Sequence, residues 1–423
     1  MLKGDSAKPL YYRVRIAAVG GVHFMPQVIS SPRAGPGGGK SVVATEKLEF
    51  ELLRACCAAA LSTNHDERIA ELISLGVRWD VLLKQAEFHN VEPLVCAKLL
   101  EFRVSLPANL EGDLERRFAT NAQRSLRLTR ELARIMACLE HHSVDAIPYK
   151  GPALAQAIYG DVAMRQFSDL DILIRVSDFD RATEAVQELG YEPSTKLRAP
   201  VERAWLKTGY ERGFDGPQGK NLLELQWRAA PGFYAVDIDV QDWFQRATCS
   251  WLGALRKVRT LSPEDLLLAL CVHASKHAWM RLGWICDIGG VTQSQRIDYD
   301  VVRERAAVLG ILRIIEVSLE MAHRLLGRAV PLQLEPKAVG GVQDLCDRVT
   351  RIVARGTDYE TESLEYFRLM LALRERASDR WRFGWRLLST PSVGEWEAVT
   401  LPGALFPLYR VVRLWRVGMR LAS

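Results

Sequence analysis

Between residues 45 and 140 the apolar positions return every third or fourth residue. Leu48, Leu52, Leu53, Ala55 and Cys56 form one such set, and Leu72, Leu75, Trp79, Leu82, Leu83 and Ala86 another, broken at Gly76. That period predicts helices. Pro93 opens the apolar run from Leu94 to Leu100, and a long helix is expected from about Leu110 to Glu140 with Asn109 as its N-cap. After His142 the period shortens. Ala146–Tyr149, Phe167–Arg175 and Asn221–Trp227 read as strands. Gly151 to Ile158 and Asp178 to Leu189 read as helices, the second with Ser177 as N-cap and Gly190 as its stop. Strand, helix, strand, helix, strand makes an α/β core over residues 141–250.

The helical period resumes at Ser262-Pro-Glu-Asp265, a strong start signal: an N-cap, proline at the first position, then two acids. Helices continue to about Ala377. The expected organisation is therefore a helical domain over 45–140, the core over 141–250, a second helical domain over 255–380, and a Trp/Arg-rich extension over 381–423. In that extension Leu405, Leu408, Val411, Val412 and Leu414 can form an apolar stripe beside Arg410, Arg413 and Arg416. A helix packed back on the protein is the expectation, with peripheral contact to a membrane surface as the lesser alternative.

Charge changes the picture at the N-terminus only. Residues 1–45 hold Lys3, Lys8, Arg13, Arg15, Arg33 and Lys40 against Asp5 alone, which accounts for the whole formal net charge of +5. The rest of the chain is neutral overall, so no extensive nucleic-acid surface is expected. Residues 1–44 lack periodicity and read as a disordered leader, or as an over-long start of the reading frame. A signal peptide is not expected there, because the apolar stretch is short, Gly-rich and broken by His23. Gly39-Lys40-Ser41 fits the end of a Walker A loop, but Ala34 stands where its first glycine belongs. No apolar run reaches the roughly 20 residues of a membrane span. The eight cysteines contain no Cys-x-x-Cys pair and mostly sit among apolar neighbours. They read as reduced, buried thiols, which fits a cytoplasmic protein.

The candidate chemistry lies in Tyr149-Lys-Gly-Pro-Ala-Leu and in Ser168-Asp169-Leu170-Asp171-Ile-Leu-Ile174. Asp169 and Asp171 are two apart in a strand, so both carboxylates leave the same face. Side by side they repel unless a cation joins them. A magnesium pair bridging nucleotide phosphates is the commonest reason for such an arrangement.

These residues resemble a known group. Lys150-Gly151, Tyr159-Gly-Asp161, Arg165, Ser168-Asp-Leu-Asp171 and Glu188-Leu-Gly-Tyr191 are similar to the uncharacterised nucleotidyltransferase family of the DNA polymerase β-like nucleotidyltransferase superfamily. The likeness continues in Leu223-Glu-Leu-Gln-Trp-Arg228, His273-Ala-Ser-Lys-His277 and Trp284-Ile-Cys-Asp287, with weaker matches at His89-Asn-Val-Glu-Pro93 and Leu405–Arg410. The resemblance implies a nucleotidyltransferase core, a small mixed sheet flanked by helices, between all-helical N- and C-terminal domains. It implies that Asp169, Asp171 and Glu224 are the catalytic acids and hold two Mg²⁺, with Mn²⁺ as the alternative. It implies that Lys150, Gly151, Arg165, Ser168, Lys276, His277 and Asp287 bind the NTP co-substrate. A nucleoside monophosphate would pass to an acceptor hydroxyl or phosphate, on a small molecule, a tRNA end or a protein, with pyrophosphate leaving.

Two departures keep rivals open. Lys150 stands where that superfamily usually carries Gly, and Gln226 stands where the family often has His. A catalytically degenerate module that binds nucleotide or a partner protein is one rival. A metal-dependent glycosyltransferase, also built on Asp-x-Asp, is another. His273 and His277 share a helix face and suit zinc, but no third ligand is spaced convincingly. The structural alternative is that Lys276 and His277 pair with Asp287 or cap carbonyls.

Overall fold

The computed structural model describes residues 42–61, 65–195, 197, 199–217, 222–335, 341–359, 363–390, 399, 401 and 403–422. All but the last three residues of the expected leader, and the Gly39-Lys40-Ser41 stretch, lie outside them. Four helices come first: α1 (Val42–Leu61), α2 (Asp66–Ser74), α3 (Trp79–Phe88) and α4 (Glu92–Leu99). The long helix α5 (Ala108–His141) follows. Its N-cap is Pro107 rather than Asn109, and no side chain caps it. Proline pre-sets φ for the turn into the first helical residue, so the start does not depend on a polar cap.

The sheet is mixed. It contains β1 (Ala146–Pro148), β2 (Asp169–Ile174), β3 (Glu192–Pro193), β4 (Glu211–Asp215) and β5 (Leu222–Gln226), in the order β1-β2-β5-β4-β3. Only the β2–β5 pair is parallel. Helices α6 (Gly151–Tyr159), α7 (Phe179–Glu188), α8 (Ala199–Thr208) and α9 (Val240–Arg246) accompany it, and a separate hairpin of β6 (Thr248–Leu252) and β7 (Arg256–Thr260) closes the region. Ser177 does not cap α7: it lies in a 3₁₀ turn, Val176–Asp178, and the cap position falls on Asp178. The Asp178 carboxylate is drawn into an ion pair with Arg181 instead of the helix amides.

Alternation along β2 and β5 separates two cores. Leu170, Ile172, Ile174, Leu223 and Leu225 face α5 and α7, where Leu128, Leu132, Ile135, Ala182 and Val186 are buried. Full burial of each such aliphatic side chain contributes roughly 1.5–3 kcal/mol. Ile147, Tyr149 and Leu173 belong to the other core, shared with the helical regions. The acids of β2 therefore open toward the helices that follow the sheet.

Those helices are α10 (Pro263–Lys276), α11 (Leu282–Ser294), α12 (Tyr299–Leu309), α13 (Leu312–Leu326), α14 (Val342–Arg355), α15 (Leu364–Ala372), α16 (Ala377–Ser389) and α17 (Tyr409–Ala422). Ser262 caps α10 as its sequence predicts, its Oγ accepting from the Asp265 amide at 3.2 Å. Helix α17 lies against α16, with Arg413 Nε donating to the Leu387 carbonyl at 3.4 Å. Trp381, Trp385 and Trp415 stay exposed. No helix among the described residues is long and apolar enough to cross a membrane. The eight cysteines are free; six are buried, Cys138 is partly buried and Cys249 is exposed on β6.

His89 ties the N-terminal helices to α11. It is fully buried, and its Nδ1 accepts from the Leu282 amide at 3.2 Å, while its own carbonyl accepts from Gly283 at 2.9 Å. A Cβ on Gly283 would stand 2.8 Å from that carbonyl, so this close approach requires glycine. Burial, helped by Arg281, pushes the imidazole down to about 4. The unfolded chain binds this proton near pH 6.5, so the folded state binds fewer protons between the two values. Stability is then complete above pH 6.5 and falls as the pH drops toward 4, by roughly 3 kcal/mol from this residue. Urea titrations from pH 7 to 4 should show the loss, and His89→Asn, which keeps an acceptor but does not titrate, should flatten it.

Candidate active site

The site is built on the first residues of β2. Asp169 pairs in register with Leu222, Asp171 with Glu224, and Leu173 with Gln226. Registered residues on parallel strands share a face, so Asp169, Asp171, Glu224 and Gln226 project together. On the far side of β5, Glu211 of β4 stands opposite Gln226, and Gly213 opposite Glu224. The parallel pairing thus unites the three sequence-predicted acids. It also adds Glu211, on a strand that the hydrophobic pattern did not reveal.

Lys150 enters from the turn after β1. Its Nζ donates to Asp171 Oδ1 at 2.8 Å, and both side chains are buried. Gly151 follows at φ +52, and a Cβ there would stand 3.3 Å from the Asp169 carbonyl. The glycine therefore lets α6 start directly against the edge of β2. Its first-turn amides have no acceptor within the helix and are available to an anion, apart from Pro152, which has none to offer.

Gln226 holds the centre. The Tyr149 hydroxyl donates to its Oε1. Its Nε2 lies 3.0 Å from Asp171 Oδ1, 3.0 Å from Glu224 Oε2 and 3.1 Å from Glu211 Oε2. The crowding shifts ionisation. Burial first, then Glu211 and Asp171, pushes Glu224 up to about 8. Burial and Asp171 likewise raise Asp169. Lys150 moves up against its own burial because Asp171 holds its charge.

The remaining predicted residues are divided. Arg165 donates through Nε and Nη2 to the two oxygens of Asp287, each at 2.8 Å, so Asp287 pairs with Arg165 and not with Lys276 or His277. Asn121 Nδ2, on α5, steadies the approach to Arg165 by donating to the Ala163 carbonyl at 2.7 Å. Ser168 is exposed at the edge of the site. The His273 and His277 rings pack on Trp284, with centroids 5.4 and 5.1 Å away. Burial, followed by Lys276, pushes His277 down to about 3, so it is a neutral ring at physiological pH. Lys276 Nζ lies 4.9 Å from the Tyr210 ring centre. Burial lowers its pKa, and Glu211 is the first group to oppose that.

Among the described residues, the group of three or more His, Cys, Asp or Glu ligand atoms lying within 4.8 Å of one another is Cys138, His142 and Glu188. It could hold a metal, but it sits where α5 and α7 end, on the opposite face of the sheet. Its thiol and imidazole suit zinc better than magnesium. The oxygens of Asp169, Asp171 and Glu224 spread wider than this, with the Gln226 amide between them.

Residues 76–327 match the model of a family described as uncharacterised nucleotidyltransferase. The chain belongs to that family, and the span contains every site residue named above. No curated protein matches the chain. A solution structure of the antibiotic-resistance factor ANT(2'')-Ia is similar to it at 17% identity, over 47% of this chain and 98% of that one, with a TM-score of 0.33. That likeness is too loose to carry an argument about the site.

Proposed function

We propose that the protein is a Mg²⁺-dependent nucleotidyltransferase that moves a nucleoside monophosphate from an NTP to an acceptor and releases pyrophosphate. The observation that carries this reading is the registered set of Asp171 and Glu224, with Asp169 two residues away and Lys150 on Asp171, in a chain of this family. Carboxylate oxygens without sulfur or imidazole are the donors that magnesium takes, and manganese accepts the same set. Asp169, Asp171 and Glu224 would hold two ions. When bound, these supply charge neutralisation for the triphosphate and a lowered pKa for the acceptor hydroxyl.

The protein's own groups do the rest. The Gly151 turn offers backbone amides to phosphate oxygens, and Lys150 supplies a point charge beside them. Arg165, held flat by Asp287, and Ser168 at the rim are further phosphate donors, with Lys276 facing them from α10. His277 contributes a neutral ring surface rather than a charge. The acceptor oxygen attacks the α-phosphorus and the bond to pyrophosphate breaks, with placement supplying much of the rate. The acceptor is a small molecule, a tRNA end or a protein side chain, and we place the reaction in the cytoplasm.

One observation favours a second reading. The Gln226 amide already bridges three carboxylates, as it would in a degenerate module that binds nucleotide or a partner without turnover. Incubation with Mg²⁺, each labelled NTP and a cell extract separates the two. Pyrophosphate release that needs Mg²⁺ supports the transferase. Tight NTP binding with no release in any extract supports the degenerate module, and consumption of a nucleotide sugar supports a glycosyltransferase.

A further inference from the structure

We infer that helices α16 and α17 together form a docking face for an anionic bilayer surface. The inference stands apart from the active site and does not use it. Both helices turn their apolar sides outward. On α16, Asp379 and Phe383 are buried against the body, and Arg386 is paired there with Asp237. Trp381, Trp385 and Leu388, spaced i, i+4 and i+7, lie on the opposite side and are exposed. Helix α17 repeats the inversion. Tyr409 and Arg413, one turn apart, are the buried pair, and they anchor the helix through hydrogen bonds: the Tyr409 hydroxyl donates to the Val399 carbonyl at 2.7 Å, and Arg413 Nε to the Leu387 carbonyl. Val411, Leu414 and Trp415 face away and are exposed. A surface helix ordinarily buries its apolar stripe against the core. Here Trp381 is 74%, Trp415 65% and Trp385 59% exposed, while Arg413 is 8%. One exposed apolar side chain needs no account, but stripes on two helices packed side by side mark a surface that something covers.

Charge selects the occupant. Helix α17 carries four arginines and no acid. The acid of α16 is Asp379, which is buried and paired with Arg382. Arg380 on α16, Arg376 just before it and Arg410 on α17 are exposed. A second copy of this face would bring such arginines against one another, a like-charge contact that disfavours the pair. An anionic lipid surface meets them with the opposite sign. The tryptophans fit the same surface, because an indole settles at headgroup depth with its ring toward the acyl chains and its N–H toward water. Tryptophan and leucine on one side with arginine at the flanks is the make-up of a helix that lies in the interface plane.

Flotation of the full chain with vesicles of equal parts phosphatidylcholine and phosphatidylglycerol tests this. Wild type should float with these vesicles, float far less with phosphatidylcholine alone, and be released as salt is raised. Trp381→Gln combined with Trp385→Gln and Trp415→Gln should weaken binding by about tenfold or more, since affinity follows the apolar area inserted. Its melting temperature should not fall, because the three rings are exposed. If that variant melts early, Val411→Gln with Leu414→Gln takes its place. Arg410→Gln should lose about fivefold on the mixed vesicles and nothing on phosphatidylcholine. Failure of wild type to float, equal flotation on phosphatidylcholine alone, or wild-type flotation of the tryptophan variant overturns the inference. So does sedimentation without lipid that shows a dimer which the tryptophan variant dissolves, for the face then belongs to a second copy.

Discussion

Asp169→Asn is expected to abolish turnover without weakening the fold. Pyrophosphate release should drop by roughly three orders of magnitude, the scale on which removing one charge-stabilising contact acts in an active site. The melting temperature should hold or rise. Burial and then Asp171 raise the Asp169 pKa, so the folded chain disfavours a negative charge there. Removing the charge relieves that repulsion, whereas a residue kept for structure would show the opposite sign. Activity and thermal melting measured on the same preparation check both halves. A variant that loses stability and activity together would mark Asp169 as a structural acid.

Lys150→Ala should act differently. Its ammonium and the Asp171 carboxylate are both buried, 2.8 Å apart. Breaking such a pair leaves an uncompensated buried charge and costs about 3–5 kcal/mol. Gln226 still donates to Asp171, which places the expected loss at the lower end of that range. Two further results separate pairing from packing. Lys150→Met with Asp171→Leu, which removes both charges, should recover most of the stability and remain inactive. Saturating Mn²⁺ should stabilise Lys150→Ala more than wild type, because the cation replaces the missing charge. Urea denaturation with and without Mn²⁺ measures each effect.

The acid pair was legible because period two fixes which face a strand residue takes, and Asp169 and Asp171 share it. Glu224 was legible through the family resemblance, and its setting between Leu223 and Leu225, both buried on the other face, agrees with that reading. Glu211 was not. Its strand reads Glu-Arg-Gly-Phe-Asp, and the inward position next to it is a buried arginine, Arg212, whose Nη2 reaches the Thr195 carbonyl and Glu202 while its Nε has no hydrogen-bond partner among the described residues. A charged residue at a core position erases the alternation that announces a strand. The β6–β7 hairpin was hidden in a similar way, since only Leu252 and Val258 of its residues are buried. The pairing of Arg165 with Asp287 joins residues 122 positions apart. No local pattern encodes such a contact; it follows from α11 docking beside the loop before β2.

The most direct test isolates the acceptor after incubation with the protein, Mg²⁺ and NTP, and weighs it intact. The account predicts a mass increase of one nucleoside monophosphate, with matching pyrophosphate release, and no increase with Asp169→Asn. An increase of one hexose or of one phosphate group would contradict it, and so would a nucleotide adduct that forms equally well with Asp169→Asn.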